Sequence, residues 1–143
     1  MAEFPDYGRP PVVEVAIGAQ FGPLEGFSAA HVGLYWRTIQ KDFGLVEEQG
    51  PIAHIVESST DSPPTGSQRI SISTSPPPPR SWFLNPTKTR IIQVQRDRFL
   101  YNWRKMKESD EYPRYGVVKQ DFMKYWSGFC QFLVEQELKP PQV

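Results

Sequence analysis

Cysteine is nearly missing. The 143 residues include 1 Cys, so no disulfide can close within the chain and the fold must stand on its core. Histidine is scarce as well: His31 and His54 are the 2 present, far from each other and from Cys130. A zinc site needs four such ligands at recognisable spacings, so neither a metal nor a cofactor is expected. Net charge is zero, with 16 Lys+Arg against 16 Asp+Glu, and no global field draws the chain onto nucleic acid or an anionic bilayer. No apolar run approaches the roughly 18 residues that cross a membrane. The opening Met-Ala-Glu-Phe-Pro-Asp lacks the basic and apolar regions of a signal peptide. These absences lead to the expectation of a soluble, cytoplasmic protein with no membrane partner.

Catalytic signatures are missing too. There is no Gly-x-Gly-x-x-Gly, no phosphate-binding Gly-Lys loop, no Gly-x-Ser-x-Gly elbow and no His-Glu-x-x-His. The paired carboxylates Glu47-Glu48 and Asp110-Glu111 fall in polar breaks and read as solvated. Cys130, flanked by Phe129 and Phe132, reads as a buried thiol rather than a nucleophile. His31 reads as a helix-surface residue. An enzyme is therefore not expected, short of one assembled across a subunit interface with Asp97 or His31 contributing.

Aromatic residues are plentiful at 13% of the chain, with 4 Trp and 9 Phe, enough to fill the core of a small domain. Proline is abundant at 15 residues, and those between Pro51 and Pro79 lie among serines and threonines that resist helix. The organisation expected is a tail at 1–9, a single domain at 10–138 with Pro/Ser-rich loops at 57–67 and 75–80, and a tail at 139–143.

Periodicity fixes the elements. Val13, Val15, Ile17, Ala19 and Phe21 alternate with Glu14 and Gln20, a strand with one buried face. Ser28 opens a helix as its N-cap, and Val32, Tyr35, Trp36, Ile39 and Phe43 form its apolar stripe. Burying that stripe contributes roughly 1.5–3 kcal/mol per side chain before entropy is counted. Gly44 stands where a left-handed C-cap would sit. Residues 53–56 and 69–73 read as strands, and Pro76–Pro79 as a stiff polyproline II loop. A meander follows: Trp82-Phe83-Leu84, a turn at 85–88, Arg90–Gln95, a tight reversal at Arg96-Asp97, and Arg98–Arg104. After a polar break at 109–113, Val118, Phe122, Tyr125, Phe129 and Leu133 mark a long helix over 115–138, stopped by Lys139-Pro140-Pro141. Strand, helix, several antiparallel strands, helix predicts an α+β fold: a two-layer antiparallel β-sheet with two helices packed on one face.

The charge is unevenly spread. Residues 1–63 carry 3 basic and 9 acidic side chains; residues 64–143 carry 13 and 7. Between 88 and 107, Lys88, Arg90, Arg96, Arg98, Arg104, Lys105 and Lys107 face only Asp97, with Tyr101 and Trp103 interleaved. Arginine alternating with aromatics on a sheet suits nucleic acid or phosphate recognition. It is also how an ordinary sheet wets its outer face.

Three blocks carry a resemblance. Pro10–Leu24 (PPVVEVAIGAQFGPL), Ile92–Lys105 (IQVQRDRFLYNWRK) and Tyr112–Tyr115 (YPRY) are similar to the hallmarks of a sporadically distributed, uncharacterised family of bacterial proteins. The resemblance spans most of the chain and implies no activity. Family members continue into a second, strand-rich half, so this chain resembles their N-terminal half. The chain is then either a truncated or a naturally short member, and a missing half would leave sheet edges or apolar surface for a partner to cover.

The resemblance focuses attention on one polar block. The candidate binding surface is Arg90, Gln93, Gln95, Arg96, Asp97, Arg98, Tyr101, Asn102, Trp103, Arg104 and Lys105. Either it meets a ligand or partner, or it is a hydrogen-bonded hairpin tied by Asp97 to an arginine. The leading expectation is a non-enzymatic protein-interaction module, a homodimer or a subunit of a larger bacterial complex. If Trp82, Tyr101 and Trp103 lie on the uncovered sheet face, association would bury them. The alternative is a nucleic-acid or nucleotide/phosphate-binding protein using the basic aromatic hairpin 88–107.

Overall fold

The computed structural model of the protein describes residues 8–52 and 79–142. The strands expected at 53–56 and 69–73, the loop at 57–67 and the polyproline run as far as Pro78 lie outside the described residues. Those described form an α+β fold in the order β1 (Glu14–Gln20), α1 (Ala29–Ile39), β2 (Leu45–Gln49), β3 (Arg80–Leu84), β4 (Arg90–Gln95), β5 (Arg98–Arg104) and α2 (Tyr115–Glu135). All pairings are antiparallel, and the sheet order is β1-β5-β4-β3-β2. The first strand thus closes the far side of the meander, beside the last.

Alternation in β1 works as its sequence dictates: Val15, Ile17 and Ala19 are half-buried while Glu14, Ala16, Gly18 and Gln20 are exposed. Val13, read as part of that apolar face, precedes the strand and is exposed. Gly18 permits a close approach to β5. A Cβ there would lie 2.7 Å from Leu100 Cγ and 3.0 Å from the Phe99 carbonyl oxygen.

Helix α1 starts after Ser28, as the capping pattern indicates. Its far end departs from the sequence reading. The helix stops at Ile39 with Gln40 as C-cap, and Gly44 is not in the left-handed region. Phe43 reaches the core from a turn instead. Its N–H donates to the Ile39 carbonyl at 2.9 Å, and the Phe43 carbonyl accepts the Trp36 indole N–H at 2.9 Å. Strand β2 is a second departure: the Glu47-Glu48 pair, read as a polar break, lies on a sheet-edge strand paired with β3.

Helix α2 ends at Glu135 rather than Leu138, because a Schellman motif closes it before the prolines are reached. Glu137 takes φ 60°, its N–H donates to Val134 O, and the Leu138 N–H donates to Leu133 O at 2.9 Å. Leu138 then packs on the core beside Gly26, whose φ of 74° turns the chain into α1.

Both helices cover one sheet face. Tyr35 of α1 stands at the centre, its ring 6.3 Å from Phe83, 6.2 Å from Phe99, 5.2 Å from Phe129 and 5.6 Å from Phe132. These contacts join α1, β3, β5 and α2 into one aromatic core, completed by Phe21, Leu24 and Phe27 from the β1–α1 connection. The register sends Phe99, Tyr101 and Trp103 to this helix side, so the condition that Tyr101 and Trp103 lie on the uncovered face is not met. Of the three aromatics named, only Trp82 faces the other way, paired with Gln93. No helix among the described residues is long and apolar enough to cross a membrane.

Candidate functional site

The hairpin at Arg96-Asp97 has a two-residue reversal, yet neither residue adopts positive φ. It is therefore not one of the primed turns that match strand twist unaided. The β1–α1 connection clamps it instead. Phe21 N–H donates to the Asp97 carbonyl at 2.9 Å and Leu24 N–H to the Arg96 carbonyl at 3.0 Å. The Arg96 guanidinium returns a bond to the Leu24 carbonyl at 3.1 Å. Asp97 Oδ1 accepts from the Gln95 amide at 2.8 Å and lies 3.6 Å from Arg98 Nε. Arg98, 7% exposed, also donates to Gln20 on β1 at 3.1 Å. Gln95 pairs with the Ile52 backbone through both its amide groups, at 2.9 and 2.8 Å.

A second chain of bonds crosses four strands on the face away from the helices. Trp82 Nε1 donates to Gln93 Oε1 at 3.1 Å, Gln93 Nε2 to Asn102 Oδ1 at 2.7 Å, and Asn102 Nδ2 to Glu14 Oε1 at 2.9 Å. Gln93 and Asn102 are buried, and buried amides must be paired. The register puts them diagonally opposite, within reach of each other. Arg80 and Arg104 both lie over the ring of this ribbon's first member, 5.5 and 5.8 Å from the Trp82 centroid. Arg104 Nε also donates to the Lys88 carbonyl at 2.9 Å, and Lys105 meets Glu108 at 3.4 Å.

The eleven candidate residues are thus divided between two faces. Gln93, Gln95, Arg98, Asn102 and Arg104 lie on the face away from the helices; Arg90, Tyr101 and Trp103 lie toward them; Arg96 and Asp97 form the turn and Lys105 follows the last strand. Arg96, Asp97 and Arg98 are joined to the surrounding chain as the tied-hairpin alternative describes.

Arg90 and Tyr101 meet elsewhere. The Tyr101 hydroxyl donates to Asp121 Oδ2 at 2.9 Å, and Arg90 NH1 lies 3.3 Å from the same oxygen. Burial pushes the Tyr101 hydroxyl well above the ordinary tyrosine range, outweighing the pull of Arg90, and its donation to Asp121 adds to the rise. Tyr125, stacked on Tyr101 at 5.9 Å, is raised by burial and by the nearby Asp42 and Asp121 carboxylates. Around them opens a polar cleft of about 480 Å3, lined by Lys41, Asp42, Phe43, Asn85, Pro86, Arg90, Asp121, Lys124 and Tyr125. It draws on the turn after α1, the β3–β4 turn, the start of β4 and one side of α2. Periodicity alone places Tyr125 in the apolar stripe. The one local signal for the cleft is Asp121, Lys124 and Tyr125 at i, i+3 and i+4, which share a helix face.

A smaller groove, about 180 Å3 and mostly apolar, runs between α1 and the β2–β3 edge; Val32, Trp36, Val46 and Phe83 line it, with Glu48 and Ser81. His31 Nδ1 accepts the Ser28 N–H at 3.1 Å and lies 3.0 Å from Ser28 Oγ, capping its own helix. Cys130 is half-buried, not enclosed, and burial pushes its thiol up. Asp110 accepts the N–H groups of Lys107 and Met106, which hold its carboxyl below the usual carboxylate range. Among the described residues no three His, Cys, Asp or Glu side chains converge as metal ligands would. Comparison with family models, curated proteins and solved structures finds no match to this chain.

Proposed function

We propose that this protein is a non-enzymatic interaction module, a subunit of a larger assembly, that receives an extended segment of another protein along β2. The observation that carries the reading is the chemistry of that edge. Among the described residues nothing pairs with the outer side of β2, which carries Leu45 and Val46 at 41% and 47% exposure. Val46 overhangs the apolar groove against α1, so an added strand finds unpaired backbone groups and a pocket for alternate side chains. Glu47 and Glu48 follow, one on each face, and favour a partner strand with basic residues beside them. A second copy fits less well. Antiparallel self-pairing centred on Glu47 sets that carboxylate against its own twin and Val46 against Glu48, which costs charge repulsion.

The alternative, nucleic acid or phosphate held by the 88–107 hairpin, draws less support. Arg90, Arg96 and Arg98 meet groups of their own chain, and Arg104 lies over Trp82.

Cross-linking mass spectrometry on the native complex tests the proposal. The expected result is a heterotypic cross-link to residues 44–49, with Val46→Asp and the double change Glu47→Lys/Glu48→Lys each weakening recovery of the partner by about tenfold or more. A partner retained undiminished by both variants, or cross-links joining β2 to β2 of a second copy, would overturn it.

A further inference from the structure

We infer that the polar cleft between α1, the β3–β4 turn and α2 is a binding site for a small hydroxylated phosphate monoester, such as a sugar phosphate. This goes beyond docking at β2, whose groove shares no lining residue with the cleft. Arg90 is the anchor. Its NH1 is held 3.3 Å from Asp121 Oδ2, and the Tyr101 hydroxyl fixes that same oxygen from beneath at 2.9 Å. The rest of the guanidinium has no side-chain partner among the described residues, and the side chain is 42% exposed toward the cleft. An arginine oriented at one nitrogen with its other donors open is a preorganised receptor for phosphate, which its planar fork fits.

Two lysines flank it. Lys41 and Lys124 line the same cleft, neither in an ion pair among the described residues; Lys124 lies only over the Tyr125 ring, at 5.1 Å. Two carboxylates line it as well, Asp42 and Asp121. Asp121 is paired with Arg90 and held by Tyr101, so Lys41 and Lys124 stand against the one remaining carboxylate, Asp42, and the cleft keeps a net positive charge. Asp42 is then an acceptor for ligand hydroxyl groups, since the Asn85 amide is committed to the Arg90 N–H, Thr87 and Thr89. The volume of about 480 Å3 exceeds what bare phosphate fills and lies within the range of small-molecule sites.

The test is an NMR titration of the full chain with ribose 5-phosphate, inorganic phosphate and ribose at matched ionic strength. Saturable shifts confined to residues 41–43, 85–90 and 121–125 are expected with ribose 5-phosphate, at roughly millimolar concentration. Lys41→Gln/Lys124→Gln, which breaks no ion pair or hydrogen bond among the described residues, should weaken binding by about tenfold, as should Arg90→Gln. Asp42→Asn should erase the preference for ribose 5-phosphate over inorganic phosphate. Non-saturating shifts, equal response to ribose, or unchanged affinity in the double lysine variant would overturn the inference.

Discussion

The hydroxyl of Tyr35 offers the sharpest test of this structure. Tyr35 is 1% exposed among four phenylalanine rings, and its hydroxyl has no hydrogen-bond partner among the described residues. Burial pushes that hydroxyl far above the ordinary tyrosine range, with the fields of Tyr125 and Cys130 adding to it. Replacing it in Tyr35→Phe keeps the ring and deletes the stranded oxygen. An unpaired buried hydroxyl costs about 1–3 kcal/mol, while the dispersion attraction of a single oxygen atom for its neighbours amounts to about 0.5 kcal/mol. The variant should therefore be more stable by about 1–2 kcal/mol, read as a higher urea midpoint at unchanged slope. An alkaline series supplies the second arm. The folded state holds the phenol neutral, so its contribution is fully present below the unfolded value of 10.0 and falls as pH rises beyond it. The wild type should lose up to about 1.4 kcal/mol per pH unit there through this group alone, and the variant should not. Tyr101 and Tyr125, raised in the same direction, remain in both proteins and cancel in the comparison. A phenylalanine variant destabilised by more than about 0.5 kcal/mol would mean that the hydroxyl is hydrogen-bonded after all, and not stranded in the core.

Two further predictions concern the polar ribbon and the second helix. Asn102→Ala strands the Gln93 amide and one Glu14 oxygen, and should cost about 2–3 kcal/mol in chemical denaturation; a loss below about 0.5 kcal/mol would show the ribbon to be dispensable. Glu137→Gly places the residue suited to φ 60° in the Schellman position and should raise stability by about 0.5–1 kcal/mol, whereas destabilisation in a thermal melt would contradict that backbone geometry.

The split of the arginine-rich hairpin has a simple origin. Strand side chains alternate, so Arg98, Asn102 and Arg104 must oppose Phe99, Tyr101 and Trp103, and a run that reads as one basic aromatic patch becomes two faces. The tied turn is legible in the sequence as one of two alternatives, because Gln95, Asp97 and Arg98 are near neighbours along the chain. Its partners Phe21, Leu24 and Ile52 are not, since each comes from another segment and leaves no trace in local pattern.

Local periodicity in the sequence determined where β1, the hairpin strands and both helices form, and composition determined that one aromatic core would hold them. Those signals act over a few residues and survive without tertiary contacts. Only the folded chain decided that β1 lies against β5, that α1 stops short so Phe43 can turn inward, and that Leu45–Gln49 is a strand at the edge of the sheet among the described residues. It alone brought Lys41, Arg90, Asp121 and Lys124 around one cleft. Contacts between residues tens of positions apart are chosen by the shape of the packed core, and no window of sequence contains that shape.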